Sequence, residues 1–321
     1  MKAATHSGYG PPSVVGIAEV PKPTPRPDEL LVAVSASTVN RTDCAYRQGK
    51  PFLARAVYGP VKPRATILGC EFAGRVEAIG SEVTAFTVGD RVFGYNEGRF
   101  GGHAEFLVMK SGGSVAIMPA NSTYRQVAPG SEGAHYALSM INAAKIRGGQ
   151  RVLINGATGG IGSAAVQLVR TLGAEVTATC GPAHTELLLG LGADRVIDYT
   201  ATDFTQDGGT YDVIIDAVGK SSFGACKRLL AARGIYLSSE LGRHAQNPVL
   251  ALVTPMLGGR KVLFPIPRHN QSMVRHLGAL IESGDFAPLV DRQFPMDQIV
   301  DAYRYVETGQ KIGNVVIDVD L

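Results

Sequence analysis

At 321 residues the chain has room for two domains, each with a sizeable core. Its 31 Lys and Arg against 28 Asp and Glu leave a net charge of +3 with no basic run, which gives no reason to invoke nucleic acid or a membrane surface. The start, Met1-Lys-Ala-Ala-Thr-His-Ser-Gly8, lacks a signal-peptide core, and no uninterrupted apolar run approaches the roughly 20 residues that insert in a bilayer.

The four cysteines (Cys44, Cys70, Cys180, Cys226) form no Cys-x-x-Cys pair, which argues against a structural zinc lobe and a disulfide scaffold. The expectation is a soluble cytoplasmic protein of a reducing compartment.

Residues 1–35 read as strands broken by Val20-Pro-Lys-Pro-Thr-Pro-Arg-Pro27, which cannot be helical. A polar loop opening a short helix follows over residues 37–49, then a surface loop over 50–66. Residues 67–80, 88–93 and 104–108 read as further short strands, so the first ~110 residues suggest an all-β unit. After Pro119 the pattern changes. Residues 132–146 look helical. Strands at Val152–Ile154, Val176–Thr179, Val196–Asp198, Val213–Val218, Ile235–Ser238 and Val262–Phe264 then alternate with helices at 163–172, 184–190 and 222–231. That alternation predicts an α/β fold with a doubly wound parallel sheet. Helices at 273–283 and 297–307 and a strand at 314–319 close the chain, and this last strand matches the β unit better than the parallel sheet.

The stretch with most chemical content is Arg151-Val-Leu-Ile-Asn-Gly-Ala-Thr-Gly-Gly-Ile-Gly162. An apolar strand runs into Gly156, Ala157, Thr158, Gly159, Gly160, Ile161 and Gly162. A helical pattern then begins, with Ala165, Leu168, Val169 and Leu172 on one face. Small residues allow a tight turn and a close approach of backbone to a pyrophosphate, which the helix N-terminus attracts. A dinucleotide site is therefore expected here.

Taken together, the chain resembles the medium-chain dehydrogenase/reductases, in their zinc-free quinone oxidoreductase branch. The landmarks run in that family's order over essentially the whole length: Val39-Asn-Arg-Thr-Asp43, Gly69-Cys-Glu-Phe-Ala-Gly74, Val88-Gly-Asp-Arg-Val92, Gly156–Gly162, Leu191-Gly-Ala-Asp194, Asp212–Gly219 and Gly313-Asn-Val-Val-Ile317. The resemblance implies a GroES-like catalytic and substrate domain over 1–120 and 267–321, with a Rossmann-type nucleotide-binding domain at 121–266 inserted in it. It also implies an active cleft between the domains, NAD(P)H-dependent hydride transfer and a homodimer. Zinc-dependent members hold their metal with Cys, His and a further Cys or acid. The matching positions are Asn40, Cys70 and Pro129, which cannot build a tetrahedral zinc site. No metal is expected.

An NAD-preferring site carries an acid at the end of the second strand, for the ribose hydroxyl. Here that end reads Thr179-Cys180-Gly-Pro-Ala-His184, which favours NADPH over NADH. Cys180 and His184 are candidate contacts, though His184 reads equally as an exposed first-turn residue. Tyr199 matches a family tyrosine near the adenine ribose and phosphate, or is a strand-end aromatic. Val218 and Gly219, and Phe264 and Ile266, fit close backbone approaches to the cofactor. Asn314 stands where a phosphate-binding lysine is common. Gly133 stands where relatives often carry a threonine near the nicotinamide. Asn40 and Thr42 are the catalytic candidates, Thr42 matching a proton-relay hydroxyl. The alternative for Asn40 is a helix-capping amide. Tyr46 and Tyr58 either line the substrate pocket or only pack. The leading expectation is an NADPH-dependent reductase of quinones or enones. The alternatives are a carbonyl or alcohol dehydrogenase, and a catalytically weak NADPH-binding sensor or structural protein.

Overall fold

A computed structural model of the chain describes residues 1–52 and 55–319. The chain forms two units, Met1–Glu132 with His269–Leu321, and Gly133–Arg268. In chain order the first unit contributes β1 (Lys2–Thr5), β2 (Gly16–Glu19), β3 (Glu29–Val39), α1 (Arg41–Gln48), α2 (Arg55–Tyr58), β4 (Glu71–Ile79), β5 (Arg91–Tyr95), β6 (Phe106–Lys110), β7 (Val115–Ile117) and α3 (Tyr124–Val127). Then come α4 (Glu132–Ala144), β8 (Arg151–Asn155), α5 (Gly160–Thr171), β9 (Glu175–Cys180), α6 (Thr185–Leu191) and β10 (Arg195–Asp198). They are followed by β11 (Tyr211–Asp216), α7 (Phe223–Cys226), β12 (Leu230–Ser238), α8 (Gln246–Val253) and β13 (Lys261–Leu263). The first unit is completed by α9 (Gln271–Ser283), β14 (Val290–Pro295), α10 (Ile299–Glu307) and β15 (Asn314–Asp318).

The first unit is organised on β3. Nine of its 11 residues are buried, so both of its faces are covered rather than one. One side pairs with β4. The other side is shared, Glu29–Ala33 with β6 and Ala36–Val39 with β15. The C-terminal strand is thus antiparallel to β3, which places the tail in this unit as its composition suggested. Residues 121–132 also stay here, because α3 and the turn at Ala128–Gly130 pack on β3, β4 and β15. The division therefore falls after Glu132 and Arg268, against the expected 120 and 266. The segment is also less purely β than its strand count suggested, since α1 and α2 interrupt it.

The second unit is a six-stranded parallel sheet in the order β10-β9-β8-β11-β12-β13, the doubly wound arrangement that reverses direction between β8 and β11. Val152, Leu153 and Ile154, and Val213, Ile214 and Ile215, are completely buried, as central strands covered on both faces must be. Helix α5 turns Ala165, Leu168 and Val169 inward. Leu172 falls on its C-cap and is exposed. The helix expected at 222–231 shrinks to α7 and a 3-10 turn, because Leu230 is already in register with Tyr211 across β12 and β11. Tertiary pairing overrides the local helical pattern there. Among the described residues no helix is long and apolar enough to cross a membrane.

Candidate functional site

In the second unit the chemistry gathers at the C-terminal ends of the parallel strands. Gly156 leaves β8 with φ +78, and a Cβ there would lie 2.4 Å from the Val218 side chain. Gly162 is as constrained, since its Cβ would lie 2.2 Å from the Gly156 carbonyl. Gly159 differs: it caps α5 in an extended conformation, and its Cβ would have only the Gly156 carbonyl at 3.7 Å. Two glycines thus shape the turn, and the third keeps open the space above a helix N-terminus. The first-turn N–H groups of α5 have no carbonyl one turn back to bond. This turn fits a pyrophosphate. Ala157 is buried beneath it, and Thr158, Gly160 and Ile161 are half-buried.

A polar chain fixes the neighbouring strand ends. Thr179 accepts the Gly156 N–H at 3.0 Å and donates to Asn155 at 2.9 Å, and Asn155 donates to Asp216 at 3.0 Å. Asp216 also accepts from the Tyr236 hydroxyl at 2.9 Å and from the N–H groups of Gly219 and Ser221 at 3.0 Å. Asn155, Thr179 and Asp216 are all buried. The network ties together the ends of β8, β9, β11 and β12, so the loops that would meet a dinucleotide are held by one carboxylate. Sequence reasoning singled out none of Asn155, Thr179, Asp216 and Tyr236, because the side chains they bond to one another lie 20 to 61 positions apart. It also fixes what Val218 and Gly219 can do. The Gly219 N–H is committed to Asp216, and Val218 packs on Gly156.

Of the other cofactor candidates, Cys180 is buried at the end of β9, and burial pushes its thiol pKa up. His184 is half-buried in the turn before α6, and Tyr199 is exposed with its hydroxyl beside Gly181. A carboxylate does stand near this strand end: Asp198 of β10 pairs in register with Cys180. Its Oδ1 is taken by the N–H and hydroxyl of Thr200, which hold its pKa low. Phe264 and Ile266 follow β13 in irregular chain, Ile266 exposed. Gly133 has a close-packing role, since a Cβ there would lie 2.5 Å from the Gly160 carbonyl. Asn314 belongs to the first unit, where it is buried and directs both its backbone N–H and its amide to the Leu289 carbonyl.

The first unit holds a second concentration of chemistry, at the junction of β3 with α1. Glu71 is buried and accepts four hydrogen bonds. They come from the N–H groups of Ser131 and Glu132 at 2.8 and 2.6 Å, the Thr38 hydroxyl at 2.8 Å and the Asn40 amide at 2.7 Å. The other Asn40 amide hydrogen goes to Thr38 at 2.9 Å. Both donors of Asn40 are therefore committed, and the residue caps α1 in a reciprocal box with Asp43. In this arrangement Asn40 positions Glu71, and both N–H groups of its amide are engaged within the cluster. Asp43 accepts the backbone N–H groups of Asn40 and Gly69, each at 2.9 Å.

Glu132, the first residue of α4, points into the same cluster. Its Oε1 lies 2.5 Å from the Thr42 hydroxyl and its Oε2 2.8 Å from the Cys70 sulfur. Thr42 is half-buried, whereas Cys70 and Glu132 are buried. Burial, reinforced by Glu71 and Asp43, pushes the Glu132 carboxyl up to about 8. Burial likewise raises Asp43 to about 7 and holds the Cys70 thiol well above its usual range. Burial raises Glu71 as well, but its four donors oppose that shift, so of the two buried carboxyl groups Glu71 is the one better held as a carboxylate.

Asp43, Cys70 and Glu132 bring three ligand-type atoms within 4.8 Å of one another. They fit a zinc ion poorly. Zn–S near 2.3 Å and Zn–O near 2.0 Å at a tetrahedral angle put sulfur and oxygen about 3.5 Å apart. The Cys70 sulfur is 2.8 Å from Glu132, closer than two ligands of one zinc ion would lie. Both Asp43 oxygens already accept backbone hydrogens.

The two tyrosines belong to the hydrophobic core that also contains Cys70. Tyr46 is a core residue, its ring 4.4 Å from Tyr58 and 4.7 Å from Phe100, and its hydroxyl accepts the Ala65 N–H at 3.0 Å. Tyr58 is partly buried against the same core.

Residues 26–120 match the alcohol dehydrogenase GroES-like domain, and residues 191–317 match the zinc-binding dehydrogenase family. The 2-methylene-furan-3-one reductase of Solanum lycopersicum is 30% identical over 99% of this chain and 79% of its own. The chain belongs to the medium-chain dehydrogenase/reductase superfamily. The chloroplastic NADPH-dependent alkenal/one oxidoreductase of Arabidopsis thaliana, another superfamily member, is 31% identical with the same coverage. The quinone oxidoreductase of Coxiella burnetii superposes with a TM-score of 0.89 at 26% identity, over 100% of this chain and 99% of that one. The expected superfamily, its quinone oxidoreductase branch and the GroES-like plus Rossmann-type fold are thus borne out, and the chain is a pyridine-nucleotide oxidoreductase.

Proposed function

We propose that this oxidoreductase uses NADPH, without zinc, to reduce quinones or α,β-unsaturated carbonyls. The observation that carries the proposal is the donor set around Thr42: a hydroxyl backed by a carboxylic acid and a thiol, with sulfur and oxygen closer together than two ligands of one zinc ion. A zinc ion stabilises a developing alkoxide by several kcal/mol, and a neutral preorganised donor supplies about 3 kcal/mol. Conjugation spreads the charge of an enone or quinone away from the carbon that accepts hydride, so for these substrates the smaller contribution suffices. What remains for the protein is to orient the acceptor over the nicotinamide.

A bound reduced nicotinamide supplies the hydride. The turn Gly156–Gly162 would hold its pyrophosphate, with His184 and Tyr199 beside the adenosine end. β9 itself ends in Cys180 and not in an acid, and the neighbouring Asp198 of β10 has its Oδ1 engaged by Thr200. Val218, Gly219, Phe264 and Ile266 would border the nicotinamide half. The names of the tomato and Arabidopsis relatives support the same substrate class. A homodimer is part of this reading: β13 ends its sheet, and Leu252, Met256 and Leu257 nearby in the chain are strongly exposed.

The test is a substrate panel on protein checked for metal by elemental analysis. Metal-free protein should reduce quinones or enones, oxidise primary alcohols little, and show a higher kcat/KM with NADPH than with NADH. One tightly held zinc per chain with chelator-sensitive activity would overturn the metal-free reading. NADPH binding without turnover of any acceptor would favour a sensor or structural role.

A further inference from the structure

We propose that Glu132 stores the proton that completes the reduction and delivers it to the substrate through the Thr42 hydroxyl. The proposal rests on the enone or quinone reading of the reaction and assigns it a catalytic acid. Such a relay needs a proton-bearing group shielded from water, a hydroxyl bridging it to the substrate side, and a neighbourhood that keeps the acid neutral until it is used. Glu132 is buried, and the half-buried Thr42 is 2.5 Å from it. The other carboxyl oxygen is 2.8 Å from the Cys70 sulfur. A single proton on Oε1 satisfies the whole set: Oε1–H donates to Thr42, the Cys70 S–H donates to Oε2, and the Thr42 hydrogen is released to point outward.

The charges facing Glu132 favour that state. Glu71, anchored by four donors, and Asp43 bring negative charge from β4 and α1. Cys70 is held as a thiol. Lys311, from the segment before β15, feels Glu132 and Glu71, but its ammonium group is hydrogen-bonded to the Gly313 carbonyl. Arg41 is a further charge near Lys311. Burial and the two acids together explain why Glu132 keeps its proton to about pH 8.

In the reduction, hydride adds to the β-carbon of the conjugated carbonyl, and the displaced π pair moves onto the carbonyl oxygen. That oxygen takes the Thr42 hydroxyl proton while Thr42 takes the Glu132 proton, leaving the substrate as an enol that tautomerises to the ketone. Glu132 is left as a carboxylate among two others, an unfavourable state that draws a proton back from solvent through Thr42 once the product departs.

The test compares wild type with Glu132→Gln, which keeps shape and hydrogen bonding without an acidic proton, and with Thr42→Val, which lacks the hydroxyl. In the cofactor-free protein, wild-type minus Glu132→Gln infrared difference spectra at pH 7 should contain the carbonyl stretch of a protonated carboxylic acid. The band should bleach as pH rises through about 8. Thr42→Val should retain it. With NADPH saturating and an enone or quinone as acceptor, both variants should lose roughly 100- to 10,000-fold in kcat. Both should also lose the fall in wild-type kcat above about pH 8. Absence of the band overturns the proposal, as does wild-type kcat with an unchanged pH profile in a folded Glu132→Gln or Thr42→Val protein. Wild-type protein that reduces neither acceptor class overturns the substrate reading instead, and the band then decides by itself whether Glu132 holds the proton.

Discussion

Glu132 and Asn40 show how far a side chain's surroundings reassign it. Asn40 occupies a position from which an amide could reach a substrate, yet both its N–H groups hold Glu71 and Thr38. Asn40→Ala removes a donor from a buried carboxylate, so it should cost about 1–3 kcal/mol of stability, measurable as a lower urea midpoint. A variant that loses activity at unchanged stability would return Asn40 to a direct catalytic role. Glu132 is the reverse case: nothing in its local sequence marks it, and the fold raises its carboxyl to about 8. Its folded pKa, about 8, lies above the reference 4.5, so between those values the folded state binds more protons than the unfolded state. Its contribution to stability is fully present below pH 4.5 and is lost as pH rises through about 8. The buried His103, pushed down to about 4, works in the opposite sense on the acid side. The informative quantity is therefore the difference in unfolding free energy between wild type and Glu132→Gln, which should drift against wild type from pH 5 to pH 8. A difference independent of pH would mean that Glu132 titrates normally.

At the scale of elements, the strand–turn–helix from β8 to α5 separates shape from function. Gly156 and Gly162 are required by the turn's own atoms, and Gly159 is required only by what binds above it. Gly159→Val should therefore leave the melting temperature close to wild type while weakening NADPH binding by more than tenfold, or about 1.4 kcal/mol, by calorimetry. Gly162→Val should instead destabilise the fold, by roughly 1–3 kcal/mol, because its Cβ meets the Gly156 carbonyl. Equal cofactor affinity in wild type and Gly159→Val would remove the turn from the binding site. The same turn explains Gly133, whose place against Gly160 leaves no room for a larger residue unless both backbones separate.

For the whole molecule, the second unit presents a sheet ending in β13 and, nearby in the chain, side chains that an isolated subunit leaves in water. Met256 is 85% and Leu252 76% exposed. Unpaired strand edges and grouped apolar side chains are costly in a soluble monomer. Sedimentation of wild-type protein should give twice the chain mass. Leu252→Glu combined with Met256→Glu should shift it to one chain mass with the far-ultraviolet dichroism retained. A wild-type monomer at micromolar concentration would refute the dimer.

Much of this organisation is legible in the sequence because it depends on local repetition. Val152–Ile154 followed by closely spaced small residues and a 3.6-residue pattern specifies strand, turn and helix from neighbours alone. The order of short landmarks along the chain likewise carries the superfamily. The tertiary structure decided the rest. It ended the helix expected at 222–231 early by pairing Leu230 with Tyr211, and it drew the unit boundary at Glu132 by packing residues 121–132 on β3, β4 and β15. It also assembled the acid cluster, whose members Thr42, Cys70 and Glu132 are 62 to 90 positions apart along their hydrogen bonds. Proton affinity depends on burial and on charges brought from distant strands, and no window of sequence contains either.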